Sequence, residues 1–506
     1  MVAMRADSDH GRSAPEPVLL RQVRLVGADS TAPTDVLITG GRVAPAAGAA
    51  GSVRRIDLAG RWLLHGLWDH HVHFDHWSLA RRRLDLTGAG SAAEVLRLVA
   101  ERLTGGEPAD PVLVGYGFRD GTWPDRPSRA ALDLVAAELP VVLSSNDLHS
   151  CWLNSAAFRR FGVAPTDDGL LREDAAMAVH NALDKGSDER LDRWAGEAAE
   201  AAAARGVVGI VELEWQFNPE IWARRVAAGV RSLRVECGFY PEHLDTALGL
   251  GLRTGDRLPD GDGLLTLGPL KLFLDGSLNT RTAYCHRPYP EPGDPDHDHG
   301  MLLLEPPELI TQLRRTAAAG LECAVHAIGD RANTIALDGF EAARCGGRIE
   351  HAQLIRAEDV DRFARLGVVA SVQPDHAVVD RDVADRHWPD RTDRAFPYAD
   401  LLRSGATLRL GSDAPVSPLD PWQTIAAAVH RSADDRPSWH PEQEITARQA
   451  LDASTRQGAA VRPGDPADLV ITELDPLSAS AEELRAMPVH GTMVAGRWTR
   501  RPDDLD

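Results

Sequence analysis

Eight apolar, β-rich runs recur along the chain between stretches rich in Ala, Leu and Arg, and this alternation restricts the fold more than any other feature. The runs are GLWDHHVHF (66–74), VVGIVELE (207–214), LRVECGFY (233–240), LGPLKLFLDG (267–276), ECAVHAIG (322–329), RIEHAQLI (348–355), VVASVQPDH (368–376) and TLRLGSDAP (407–415). Strands that alternate with helices build a parallel sheet, and eight such units predict a closed α/β structure, a TIM-like (β/α)8 barrel. Spacing is regular except after the first run, where about 130 residues intervene and hold two more strand-like runs, PVLVGYGF and PVVLSSND. That stretch, about 78–205, is expected to be a substrate-facing insertion over the barrel mouth. Before Gly206, ERLDRWAGEAAEAAAARG reads as an Ala-rich helix with a glycine stop, which helps to place the second strand.

Both chain ends have a different texture. Residues 18–64 hold three short runs, VLLRQVRLV, DVLITGGRVA and SVRRIDLAGRWLL, punctuated by Gly and Pro, and the texture returns in ADLVITELDP (467–476) and TMVAGRWT (492–499). Together they predict a small β-sandwich domain formed by 18–65 plus 464–502, with the barrel occupying 66–463. Residues 1–17 are expected to be a disordered tail.

Composition narrows the function classes. With 75 acidic and 55 basic residues the formal charge is −20, which argues against nucleic acid or an anionic membrane as a partner. No apolar run approaches the roughly 20 residues that span a bilayer, and the polar N-terminus lacks the apolar core of a secretory signal. The five cysteines are scattered with no CxxC pair, as expected of reduced thiols in a cytoplasmic protein. A homodimer is the default expectation for a soluble enzyme.

Functional groups in such barrels sit at the C-terminal ends of the strands. The first run presents His71 and His73; side chains two apart on a strand share a face, the geometry of a metal pair, although an isolated HxH fits surface or core chance equally well. The fourth run is more informative, because only two of the 55 basic residues are lysines, Lys185 and Lys271. Lys185 lies in a polar segment, but Lys271 is embedded in an apolar strand. Burial lowers a lysine pKa and frees neutral amine to react with carbon dioxide, giving a carboxylate-like carbamate that arginine cannot supply. The plainer alternative is an ion pair with Asp275. His326 in VHAIGDRAN and His351 in RIEHAQ read either as ligands or as satisfied core histidines. Asp413 in LGSDAPV also fits a turn or helix N-cap role. What carries weight is that all six converge on one barrel mouth.

This joint pattern resembles the amidohydrolase superfamily, whose barrels carry metal-binding HxH, Lys, His, His and Asp on those strands, and the likeness covers nearly the whole chain. More narrowly, GLWDHHVHF, LKLFLDGSLNTRTA, VHAIGDRAN, RIEHAQ, SVQPDHA and LGSDAPV look like the amidohydrolase-3 branch, which includes N-substituted formamide deformylase. PADLVITELDP and MVAGRW are similar to its closing sheet domain. Two positions depart from the branch: His65 stands where proline is usual, and DLH at 147–149 where DGH is common. Neither removes a ligand.

The resemblance implies two divalent ions, zinc by preference from the ligand types, bridged by a carbamate on Lys271. His71 and His73 would share one ion with Asp413, His326 and His351 would take the other, and Asp413 would be the catalytic proton carrier. DLHSCWLNSAAF resembles the family's substrate-facing insertion and makes His149 a candidate substrate contact. His376 is a candidate polar contact and Arg281 a candidate anion clamp; all three also fit loop scaffolding. The expected reaction is metal-hydroxide cleavage of a carbon–nitrogen bond in a small N-acyl or N-formyl compound, a linear non-peptide amide. The alternatives are a deaminase or cyclic-amide hydrolase of the same superfamily, whose mononuclear members dispense with the lysine, and a noncatalytic barrel that only binds.

Overall fold

The structure is a computed structural model that describes residues 16–30, 32–48, 53–104, 111–118, 120, 123–145, 150–172, 174–183, 188–290 and 295–502. The proposed tail lies almost wholly outside these residues, and so does His149.

Each of the eight expected runs contributes one strand to a single parallel sheet: Leu67–Val72, Val207–Glu212, Arg234–Phe239, Leu265–Phe273, Cys323–Ala327, Gly347–His351, Val368–Val372 and Leu408–Leu410, neighbours in that order. Most of their side chains are buried, which is why these runs are Val, Leu and Ile throughout instead of alternating with polar residues. A parallel bridge between Val72 and Ala414 joins the last strand's end to the first. His73 N donates to Ala414 O and Asp413 N to His71 O, each at 2.9 Å, so the sheet closes on itself at the residues that matter chemically. Helices such as Pro306–Ala318, Asp330–Ala343 and Ala357–Leu366 connect the strands; the last ends on Gly367 at φ +66°, a left-handed stop. The fold is therefore an α/β TIM-like barrel.

Both chain ends enter one mixed sheet. Its order is Arg497–Arg500, Val489–Val494, Leu469–Thr472, Trp62–His65, Val18–Leu25, Thr34–Thr39 and Arg42–Pro45, with Arg54–Asp57 also on Val18–Leu25. Two of the runs are hairpins. Gly40 and Gly41 (φ +56° and +73°) split DVLITGGRVA, and Ala495 and Gly496 (φ +50° and +75°) split TMVAGRWT. Two consecutive left-handed residues are what a tight two-residue hairpin turn requires, so the chain reverses inside a run that composition alone reads as continuous. Leu20, Val23, Ile38, Ile56, Leu63, Leu469, Ile471 and Met493 form its apolar core. Gly66 is the only residue between this sheet and the first barrel strand, and a Cβ there would come within 2.1 Å of Val208 Cγ1. A glycine is needed for the chain to pass so close.

Packing divides the chain into two compact units, Met1–Trp77 with Gly196–Asp506, and Ser78–Ala195. The second has its own five-stranded sheet, in which Leu113–Phe118 and Val141–Ser145 pair in parallel and pack with Leu86, Val95, Val99, Leu132 and Trp152. All five cysteines are unbridged. Among the described residues no helix is long and apolar enough to cross a membrane.

Candidate metal centre

Barrel closure brings strands one, four, five, six and eight around one point. Lys271, fully buried, places Nζ 3.3 Å from His71 Nε2. Asp413 Oδ1 lies 3.3 Å from His71 Nε2 and 3.5 Å from His73 Nε2. The His351 ring is 4.9 Å from that of His71 and 4.4 Å from that of His326, centroid to centroid. His71, His351 and Asp413 each offer a ligand atom within 4.8 Å of the others. That trio takes a member from each of the two expected ligand groups, so the residues form one continuous cluster.

Protonation fits a cation site. Burial, then Lys271, lowers His71 to about 4 and His326 to about 3, and burial with His326 holds His351 well below the ordinary imidazole range. Burial pushes Asp413 up, but His71, a hydrogen bond from His73, and His351 and His376 outweigh it and keep it ionised. Burial brings the Lys271 amine down to about 8. The His71, His326 and His351 imidazoles are thus neutral, and the tautomers of His71 and His326 follow from their partners. Glu350 is an ionised acceptor, because Arg348 and His71 overcome the effect of its burial, so His71 Nδ1 donates to Glu350 Oε2 at 2.7 Å. This leaves the Nε2 lone pair aimed at the cluster. His326 Nε2 donates to Gly276 O at 3.2 Å, which leaves Nδ1 as its acceptor atom. Nδ1 of His326 and Nδ1 of His351 are buried with no hydrogen-bond partner among the described residues. Nitrogen lone pairs facing an aspartate carboxylate, with no proton between His71 Nε2 and Asp413 Oδ1, are the donor set a divalent cation satisfies.

The alternative reading of Lys271, an ion pair with Asp275, is not found among the described residues. Asp275 instead accepts from the backbone N–H of Gly329 (2.8 Å), Tyr284 (2.9 Å) and Ile328 (3.0 Å), tying together the connections after strands four and five. The backbone is strained at the cluster: His351 and Asp413 adopt left-handed φ of +73° and +57°. For His351 this breaks strand alternation, so that it and the preceding Glu350 both reach His71.

His376 Nε2 stands 3.9 Å from Asp413 Oδ2, and its Nδ1 accepts from Gln353 Nε2 at 3.3 Å. Arg281 occupies a left-handed turn position (φ +59°) in the connection after strand four, its N–H donating to Leu278 O at 3.0 Å.

A model of the amidohydrolase family matches residues 54–500. The chain belongs to the amidohydrolase family. Membership makes it a hydrolase of amide-type bonds. Its relatives include N-substituted formamide deformylase of Arthrobacter pascens, 26% identical over 95% of this chain and 97% of that protein. Protein LONG AFTER FAR-RED 3 of Arabidopsis thaliana is 29% identical over 87% of this chain and 83% of its own length. Among solved structures, an uncharacterized metal-dependent hydrolase of Pyrococcus horikoshii superposes with a TM-score of 0.75 at 25% identity, covering 92% of this chain and 99% of that one.

Three residues that hold this amidohydrolase site together escape sequence reading. Glu350 orients His71, and Arg348 Nε lies 2.7 Å from its other oxygen. Asp69 Oδ1 accepts from the N–H of both Ser412 (2.9 Å) and His71 (3.1 Å), locking strand eight to strand one beside Asp413. Charged residues inside the otherwise apolar runs GLWDHHVHF and RIEHAQLI were the available signal.

Proposed function

We propose that this amidohydrolase cleaves the carbon–nitrogen bond of a small N-acyl or N-formyl compound, using two divalent ions, zinc by preference, and a carbamate on Lys271. The observation that carries the reading is the set of unprotonated ring nitrogens that face Asp413 and Lys271. His71, His73, His326, His351, Asp413 and carboxylated Lys271 would hold the ions. When bound, such ions polarise a carbonyl and lower the pKa of water toward neutrality.

The chain's own residues supply the rest. Asp413, ionised at the mouth, accepts the proton of the attacking water and returns it to the departing nitrogen, which leaves as an amine. His376 carries its proton on Nε2, since Nδ1 accepts from Gln353, and is placed to donate to the substrate's carbonyl oxygen. Glu350 keeps His71 in the tautomer that presents Nε2. Arg281 and His149 are proposed as substrate contacts on the strength of their motifs.

The test is a panel of N-formyl, N-acyl and cyclic amides assayed with zinc and manganese preparations, alongside elemental analysis. Up to two ions per chain, activity lost to a chelator and preference for linear amides are expected. A metal-free preparation that retained full activity would overturn the metal reading, and turnover confined to cyclic amides would replace the linear-amide assignment.

A further inference from the structure

Trp215 lies three residues past the second barrel strand, at the mouth, and the cluster's chemistry does not use it. Its indole stacks on the His73 ring, with centroids 5.0 Å apart and 24° between planes. Phe273 stacks with it at 6.3 Å and 22°, Tyr240 lies at 6.1 Å, and Phe273 in turn packs on His326 at 5.0 Å. One aromatic surface thus runs from His73 to His326, flanking the candidate ligands.

Trp215 is nevertheless 56% exposed, and it is the one aromatic among the exposed large apolar side chains of the described residues. With His76 meeting it edge-on at 6.0 Å as well, the indole still keeps more than half of its surface in solvent, so these rings leave part of it uncovered. The loop that carries it is fixed. Trp215 N donates to Glu214 Oε1 at 3.0 Å, Gln216 N and Asn218 Nδ2 donate to Glu214 O at 2.8 and 2.9 Å, and Gln216 Nε2 donates to Asp75 Oδ2 at 2.6 Å. Folding alone gives no reason to hold an indole rigidly in water, since burial of so large an apolar group is favourable. Leu303, Val379 and Val416 are also exposed, on the connections after strands four, seven and eight, the connections that form the C-terminal face of such a barrel.

We propose that Trp215, backed by Phe273 and Tyr240, is the platform for a flat apolar ring attached to the scissile amide, which makes aryl amides the preferred substrate class. Stacking on an indole favours a planar π ring over a puckered ring of equal carbon count. The assignment rests on the amide-hydrolase reading, so its test needs one arm that does not depend on turnover.

In the kinetic arm, N-phenylformamide and N-cyclohexylformamide are compared in the zinc-loaded wild type, Trp215→Ala and Trp215→Phe. The phenyl compound is expected to be favoured in the wild type, with that preference falling about tenfold in Trp215→Ala and largely restored in Trp215→Phe. In the binding arm, calorimetry follows phenylurea and cyclohexylurea as neutral probes of the same three proteins, with phenylurea expected to bind more weakly to Trp215→Ala alone. If neither formamide is hydrolysed but the phenylurea difference appears, the platform stands and the amide reading falls. Equal preference in wild type and Trp215→Ala, or phenylurea binding that ignores the substitution, overturns the platform.

Discussion

The two ends of the same barrel are built from similar residue types but satisfied in opposite ways. At the N-terminal floor, Glu236 lies 3.8 Å from Arg348 and pairs with Arg456, whose guanidinium covers the Trp68 ring at 4.2 Å. Arg234 grips Asp468 through two contacts of 2.6 and 3.1 Å. A cavity of about 580 Å³ opens there, yet its wall is lined by these mutually neutralised charges. Among the described residues His70 is an exception there, because its buried ring nitrogens lack hydrogen-bond partners. The mouth is the reverse: neutral imidazoles and an ionised Asp413 present acceptor atoms to each other. The cavity at the floor marks stability, and the chemistry lies at the mouth, where acceptor atoms face one another.

The strongest way to break this contrast is Asp413→Asn. If Asp413 both carries the proton and completes the cation site, kcat/KM should fall by at least about 10³-fold while the folded protein persists, as checked by kinetics and circular dichroism. An active Asn variant would put the chemistry elsewhere. Lys271→Arg comes next. It keeps the positive charge but cannot form a carbamate, so loss of at least one metal by elemental analysis and about 10²-fold or more in activity is expected from a folded protein. Two bound metals with full activity would remove the bridge.

A pH experiment sharpens the distinction between neutral mouth and charged floor. Unfolded imidazoles titrate near 6.5, whereas His71 and His326 are held down to about 4 and about 3 by burial and Lys271. Between these values the unfolded chain takes up protons that the folded one refuses. Their contribution to stability is therefore full above pH ~6.5 and is lost as the pH falls toward 4. Replacing one of them, His326→Asn, should flatten that slope by up to about 1.4 kcal/mol per pH unit. Urea unfolding of chelated proteins between pH 4.5 and 7 reads it directly, and parallel curves would count against neutral histidines.

The smallest effect is expected at the floor. Asp468→Asn weakens a partly buried, bidentate pair and should cost about 1–2 kcal/mol of stability in urea with kcat and metal content unchanged. A loss of metal in that variant would show that the floor supports the mouth, and the contrast would need redrawing.

The sequence by itself determined the eight strands and their order, because continuous burial on both faces of a parallel strand leaves an apolar run that no helix or hairpin explains as well. It also singled out His71, His73, Lys271, His326, His351 and Asp413, since each is a polar residue within or at the end of such a run, and a lysine in an apolar strand is conspicuous in a chain with only two lysines. The hairpins inside DVLITGGRVA and TMVAGRWT were hidden because composition does not report the sign of φ. The rest depended on closure. Lys271 meets His71 across 200 residues and Glu350 meets it across 279, separations over which no local pattern carries information. The coupling of Asp69 to both closing strands exists only once the eighth strand meets the first, and left-handed backbone at His351 and Asp413 and the exposed stack of Trp215 on His73 are likewise properties of the folded chain. Residue identity and period report which side chains a strand buries, whereas distances between strands are set by the ring they form together.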